Sequence, residues 1–391
     1  MGSSMERQQK KELELYVHIP FCVRKCAYCD FLSAPAAFSA QEVYINALKK
    51  EIENFPYSEE YRVTTVFFGG GTPSILPEEW LCGLLELMRR KFYFDANAEV
   101  TVECNPGTVD AEKLRSYRKA GINRLSIGLQ SADNRELALL GRIHSWEDFC
   151  RTYELARAAG FTNINVDLMS ALPGQTVSTW EQTLRRVLEK APEHISAYSL
   201  IVEKGTPFYE RYHSDVKRRD RGEKPEVLPS EEEERRMYEL TEQLLAGVGM
   251  HRYEISNYAR PGYECRHNKG YWQGIDYAGF GLGASSLLRP VRYRNPEGMQ
   301  DYLAGDFSKR EEELLTREDQ MEEFMFLGLR LTQGVLEKEF SERFGAQIDA
   351  VYGDVLRRQE NLGLLKRDEG RICLTPRGLD LSNAVMAEFL F

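Results

Sequence analysis

One pattern repeats through the first two hundred residues: a short apolar or β-branched run, then an amphipathic stretch. The apolar runs fall at 13–17, 63–68, 99–102, 124–127, 164–168 and 195–200. The amphipathic stretches between them fall at 40–54, 78–91, 111–120, 146–159 and 177–190. Strands that alternate with helices at this spacing pair in parallel and carry the helices on the outside. Gly121 and Gly160 sit where two helices should end, and glycine reaches the positive φ that a helix C-terminus favours. Six such units predict an α/β fold, a partial (β/α)6 barrel. A flat doubly wound sheet satisfies the same periodicity. In either arrangement, functional groups gather at the C-terminal ends of the strands.

The alternation stops near residue 205. Residues 211–236 are polar, with blocks of Lys/Arg and then Glu, and read as a solvated insertion and a helix start. Ser230 followed by Glu233 predicts a capping box opening that helix. Residues 250–300 are rich in Tyr, Gly and Asn. From Thr316 onward, three helical stretches precede a hairpin turning at 369–370. That combination predicts a helical, winged-helix-like module. The expected division is 1–205 for the barrel, 206–310 for a connecting or insert region and 311–391 for the C-terminal module.

Lys plus Arg number 51 against 61 Asp plus Glu, a net charge of −10, so broad contact with a phosphate backbone is disfavoured and no nucleic-acid partner is expected. No run of eighteen apolar residues occurs, and the N-terminus lacks the apolar core of a signal peptide. The Met-Gly start does not complete a myristoylation signal, since position 6 is neither Ser nor Thr. A cytoplasmic protein without a transmembrane segment is expected, with peripheral membrane contact left open. Eight cysteines are too few for a disulfide scaffold, and clustered ones in a reducing compartment point to metal or redox chemistry.

The cluster is "HIPFCVRKCAYCDF", with Cys22, Cys26 and Cys29 in C-x3-C-x2-C spacing. Structural zinc takes four ligands, and only His18 stands near enough in sequence to complete such a site. The other reading is a four-iron four-sulfur cluster held by three thiolates. Its fourth iron stays open to a ligand carrying an amine and a carboxylate. This spacing is similar to that of radical S-adenosylmethionine enzymes. "FFGGGTPSIL" follows a predicted strand, and Gly69, Gly70 and Gly71 allow close backbone approach to a ligand.

The resemblance narrows with "FFGGGTPS", "TVECNPGT", "RLSIGLQS", "LGRIH", "NVDLMSALPGQT" and "HNKGYW", which follow the cysteine motif in order across nearly the whole chain. The chain resembles the oxygen-independent coproporphyrinogen III oxidase family, and most closely its HemW-type members. The resemblance implies that Cys22, Cys26 and Cys29 bind a [4Fe-4S] cluster. It implies S-adenosyl-L-methionine contacts at Tyr16, Tyr28, Gly70, Gly71 and Thr72. Glu103, Gln130, Arg142 and Asp167 match the remaining polar contacts. In the superfamily, one-electron reduction through the cluster cleaves the sulfonium to methionine and a 5′-deoxyadenosyl radical.

Two features depart from the oxidase branch. Its members carry a further Cys two residues after the third, where this chain has Phe31, and a longer N-terminal extension. HemW-type proteins share both departures and are thought to bind haem and pass it to acceptor proteins. Haem is therefore expected as cargo, with His267 as its axial ligand in "CRHNKGYWQG", Tyr271 and Trp272 beside it and Cys265 as a second contact. A packing motif accounts for the same residues. The expected partners are haem or a porphyrinogen, a haem-acceptor protein and an electron donor. The alternatives are a coproporphyrinogen oxidase, or a protein whose cluster is structural or redox-sensing. Cys82, Cys104, Cys150 and Cys373 read as small buried hydrophobes.

Overall fold

The structure, a computed structural model, describes residues 10–391; the Met-Gly start lies outside them. Six parallel strands form the centre of one large sheet: β1 (Lys11–Ile19), β2 (Tyr61–Gly70), β3 (Tyr93–Cys104), β4 (Arg124–Gln130), β5 (Ile164–Ser170) and β6 (His194–Ser199). They lie side by side in chain order. The connecting helices are α1 (Phe38–Asn54), α2 (Glu78–Lys91), α3 (Ala111–Ala120), α4 (Trp146–Ala158) and α5 (Val177–Leu188). This is the α/β partial barrel, and the unbroken strand order excludes the doubly wound alternative, in which the order reverses.

The central strands alternate between their two faces, apart from register shifts at Leu13/Glu14, Val63/Thr65 and Gly128/Gln130. Leu13, Leu15, Val17, Val100, Val102, Leu125, Ile127, Val166 and Ile195 pack with the helices in one continuous core. The residues between them are polar: Glu14, Thr65, Glu99, Arg124, Asn165 and His194 near the strand starts, and Glu103, Ser126, Asp167 and Ser196 further along. Parallel strands covered on both faces normally read as continuous apolar runs. Here the inner face is polar because it encloses a site rather than a second core.

The 206–310 region is not a separate connection, which corrects the expected division. Residues Pro207–Asp220 form α6, so the charge-rich stretch is largely helical, and Asp215 folds the following loop back by accepting from the backbone of Glu226, Val227 and Leu228. Helix α7 (Glu231–Ala246) opens with the Ser230–Glu233 capping box. Strands β7 (His251–Arg252) and β8 (Asn257–Ala259) then extend the sheet beyond β6. After helix α8 (Arg266–Gln273), strand β9 (Asp276–Phe280) pairs in parallel with β1. Strands β10 (Ser285–Leu288), β11 (Val291–Arg294) and β12 (Arg310–Leu314) complete that edge. The region's Met237, Leu245, Tyr258, Ala278 and Phe280 belong to the barrel core, and the boundary at 310 would cut through β12.

The C-terminal residues build their own core around Phe324, Phe340, Tyr352, Leu356 and Ile372. Helices α9 (Arg317–Gly328), α10 (Glu337–Phe344) and α11 (Ile348–Asn361) surround a small sheet ordered β13 (Val335–Leu336), β15 (Arg371–Leu374), β14 (Leu365–Asp368). Helix α9 packs on α8. Among the described residues, no helix is long and apolar enough to cross a membrane.

Candidate cluster and nucleotide site

The cysteine loop follows β1 at the C-terminal end of the sheet, and hydrogen bonds pin it there. The Gly71 and Thr72 amides donate to the carbonyls of Ile19 and Phe21 at 2.8 and 2.7 Å. A Cβ at Gly71 would lie 2.5 Å from the Phe21 oxygen, so only glycine lets the two loops approach this closely. Further bonds tie the Ala27 amide to the Leu140 carbonyl and the Arg24 guanidinium to the Gly141 carbonyl. Cys22, Cys26 and Cys29 are half-buried free thiols. Burial raises the Cys29 pKa.

All three cysteines line one cavity of about 350 Å³, together with Tyr28, Gly70, Gly71, Thr72, Glu103, Gln130, Arg142 and Asp167. Residues from six separate strand ends and loops thus meet in one place. The Gly70 amide donates to Glu103 Oε2 at 3.2 Å. Burial, then repulsion from Asp167, pushes Glu103 up to about 8. Burial also raises Asp167, although Asn165 and Ser126 donate to its carboxylate at 2.7 and 3.2 Å. Gln130 has a φ of 75°, a left-handed conformation rare for a non-glycine residue, and accepts from the Tyr198 hydroxyl at 2.9 Å. Arg142 donates to the Gly128 carbonyl at 2.6 Å, and its Nη1 lies 3.5 Å from Cys26 Sγ.

The residues present fit an anionic cluster with a zwitterionic ligand. Arg142 Nε is buried without a partner in this cavity wall, a donor awaiting an acceptor. A positive charge between them would favour the ionised form of the two raised carboxyls. Among the described residues, no three His, Cys, Asp or Glu side chains converge as they would around a single ion. The three thiols line one cavity, and three thiolates there could hold a cluster. The zinc reading fails on His18, whose ring nitrogens are engaged by the Tyr16 hydroxyl at 3.0 Å and the Leu32 carbonyl at 2.9 Å.

Two expected residues stand elsewhere. Tyr16 lines the adjoining cavity instead, next to Gly69 and Glu103. His267 lies at the opposite end of the inner face, 2% exposed. Its Nδ1 is 2.6 Å from Thr65 Oγ1 and its Nε2 3.0 Å from the Tyr271 hydroxyl. Both nitrogens are thus engaged, and Phe67 stacks on the ring at 5.1 Å. Cys265 is fully buried, with its thiol toward Glu99 at 3.6 Å. Of the remaining cysteines, Cys104 and Cys373 are buried, whereas Cys82 and Cys150 are only half-buried against the core.

Asn105 and Tyr198 escaped the sequence reading. Asn105 donates to Thr72 Oγ1 at 2.8 Å and accepts from Arg142 at 2.5 Å, linking two contacts that the sequence suggested separately. It stands two residues after Glu103 in "TVECNPGT", a position from which it could have been suspected. Tyr198 carries no motif signal.

Residues 16–187 match the Radical SAM superfamily, and residues 315–381 match the HemN C-terminal domain. The chain is 38% identical to the heme chaperone HemW of Bacillus subtilis, covering 96% of this chain and 98% of that one. It is 36% identical to the heme chaperone HemW of Escherichia coli, covering 87% and 88%. Among solved structures, it resembles the coproporphyrinogen III oxidase HemN of Escherichia coli, described as a radical SAM enzyme. That match has a TM-score of 0.82 at 25% identity, covering 99% of this chain and 93% of that one.

Proposed function

Because the chain belongs to the radical SAM superfamily and, within it, to the family of the heme chaperone HemW, we propose that it binds haem and delivers it to an acceptor protein. In this reading Cys22, Cys26 and Cys29 hold a [4Fe-4S] cluster. Tyr28, Gly70, Gly71, Thr72, Glu103, Gln130, Arg142 and Asp167 hold S-adenosyl-L-methionine. When bound, this pair supplies one-electron reductive chemistry. The glycine loop lets the backbone come close to the ligand without side-chain bulk, Glu103 and Asp167 meet its positive charge, and Arg142 offers a donor beside Cys26. Tyr16 acts indirectly, by packing against Gly69 and shielding Glu103. A cytoplasmic location and a separate electron donor complete the reading.

One observation supports the cofactor part above the rest: the convergence of three thiols, the glycine loop and two raised carboxyls on a single cavity. Anaerobic reconstitution tests it. Iron and sulfide should reach about four per chain, and the EPR signal of the reduced cluster should change on adding adenosylmethionine. An unchanged signal removes the cofactor assignment. Saturable haem uptake, followed by transfer to an apo-haemoprotein, tests the chaperone part.

Coproporphyrinogen oxidation is the second reading, favoured by the likeness to HemN. Phe31 counts against it, standing 67% exposed where the oxidase branch carries its further Cys. Formation of protoporphyrinogen from coproporphyrinogen under anaerobic reducing conditions would replace the chaperone reading.

A further inference from the structure

Two cavities adjoin where the C-terminal module packs against the extended sheet, and Trp272, Arg289, Glu323 and Leu327 stand between them. The larger holds about 540 Å³ and is walled by Tyr271, Tyr277, Leu287 and Phe326. Phe31 lines both this cavity and the cysteine cavity, so the two are neighbours. The smaller holds about 140 Å³, and Arg289, Arg343 and Arg371 line it.

The charges in the smaller cavity do not balance. Arg289 is paired with Asp276 at 2.6 Å, and Arg292 holds Glu323. Arg343 and Arg371 make no ion pair with any described residue, and Glu339 is the remaining carboxylate in the wall. The guanidiniums of Arg289 and Arg343 close on the same point: a Cβ at Gly274 would meet Arg289 Nη2 at 2.8 Å and Arg343 Nη1 at 3.2 Å. Burial and the charge of Arg289 both lower the Arg343 pKa. Three buried polar atoms in the dividing wall have no partner: the donors Trp272 Nε1 and Arg289 Nε, and the acceptor Glu323 Oε2, whose other oxygen is held by Arg292. Uncompensated cations beside unpartnered donors suit a carboxylate. Aromatic walls around the larger space suit a flat apolar body.

We propose that the two cavities form one site for a planar tetrapyrrole, its ring in the aromatic cavity and a carboxylate substituent in the smaller one, held by Arg289 and Arg343. The proposal rests on the haem reading above and gives it a location beside Tyr271 and Trp272. It also places the cargo next to the cysteine cavity, at an interface that forms only when the C-terminal module is docked.

Absorbance titration of the full-length, cluster-loaded protein with haem and with haem dimethyl ester tests it. The ester keeps the ring and loses both carboxylates. The unaltered protein should bind the ester at least tenfold more weakly than haem. Arg343→Ala should weaken haem to about the level of the ester and leave the ester unchanged. Leu287→Trp, which narrows the larger cavity, should weaken both, with the melting temperature of each variant checked in parallel. Equal affinity for haem and ester in the unaltered protein overturns the carboxylate subsite. Unchanged binding by Leu287→Trp overturns the placement of the ring. Absence of saturable haem uptake by the unaltered protein overturns the haem reading itself, and this site with it.

Discussion

The two ends of the barrel's inner face carry similar residues and have opposite fates. At the strand starts, Glu14, Thr65, Glu99, Arg124, Asn165 and His194 point inward; helix α8 covers Glu14, Thr65 and Glu99, and Tyr253 caps His194. The amides of Arg266 and His267, at the N-terminus of α8, donate to Glu99 at 3.1 and 3.4 Å, a favourable place for a carboxylate at a helix end. His194 bridges Asn165 at 2.6 Å and Tyr253 at 2.8 Å. At the strand ends, Glu103, Ser126, Gln130 and Asp167 point inward from the same strands, and a cavity of about 350 Å³ stays open above them. An inward polar residue is structural where the chain supplies its cover and ligand-binding where it does not. The closed end is not perfectly satisfied: Glu14 Oε2 and Arg124 Nε lack partners. Burial and Glu99 raise the Glu14 pKa, which favours its neutral acid form.

The largest effect on this contrast should come from His267→Ala. It leaves Thr65 and Tyr271 without a buried partner and opens a cavity under Phe67, at a cost of about 3 kcal/mol. Urea denaturation would show the loss while the Soret band of bound haem keeps its position. A shifted Soret band at unchanged stability would place His267 on the iron. Gly270→Ala should cost about 2–3 kcal/mol, because a Cβ there would sit 1.9 Å from Glu14 Oε1.

Acid should find the same closed end. Burial holds His267 down at about 3 and lowers His194 well below the ordinary range. Both are neutral when folded, whereas the unfolded chain takes up a proton near pH 6.5. The unfolded state therefore binds more protons between those values, and stability falls as the pH drops below 6.5. For His267 the loss is about 2 kcal/mol at pH 5, measurable as a lower urea midpoint that His267→Gln should flatten.

The open end should respond with the opposite sign. Glu103, pushed up to about 8, binds a proton that the unfolded chain gives up near pH 4.5, so it lowers stability as the pH rises through that window. Glu103→Gln should gain about 1–3 kcal/mol at pH 8.5 and little at pH 4.5. The same variant should weaken adenosylmethionine binding at least tenfold by calorimetry. Destabilisation at pH 8.5 would mean that Glu103 is structural. The smallest effect serves as a control far from both ends. Gly83→Ala in α2, where a Cβ meets nothing within 4 Å, should stabilise by about 0.5–1 kcal/mol.

The barrel itself was legible because its signals are local. The predicted bounds of α2 and α3 coincide with the observed helices, and the Ser230 capping box forms as read. The cysteine motif and the glycine loop were legible for the same reason, since each is short and its spacing fixes which atoms can meet. Strands β7 to β11 were not. They are two to five residues long, and their pairing partners lie far away in sequence, β9 against β1 above all. Nothing in "HNKGYW" says whether its histidine faces a ligand or the floor of a barrel.

The sequence by itself determined the strand–helix alternation, the three-thiol loop and the family, because periodicity and motif spacing survive without knowledge of long-range contacts. Only the tertiary structure decided which polar residues stay exposed to a ligand. It turned α8 into the plug of one end and brought Arg289 and Arg343, 54 positions apart by the numbering, to a common glycine. It left the cysteine cavity open at the other end. Burial is a property of whatever the rest of the chain places on top, and no local pattern encodes it.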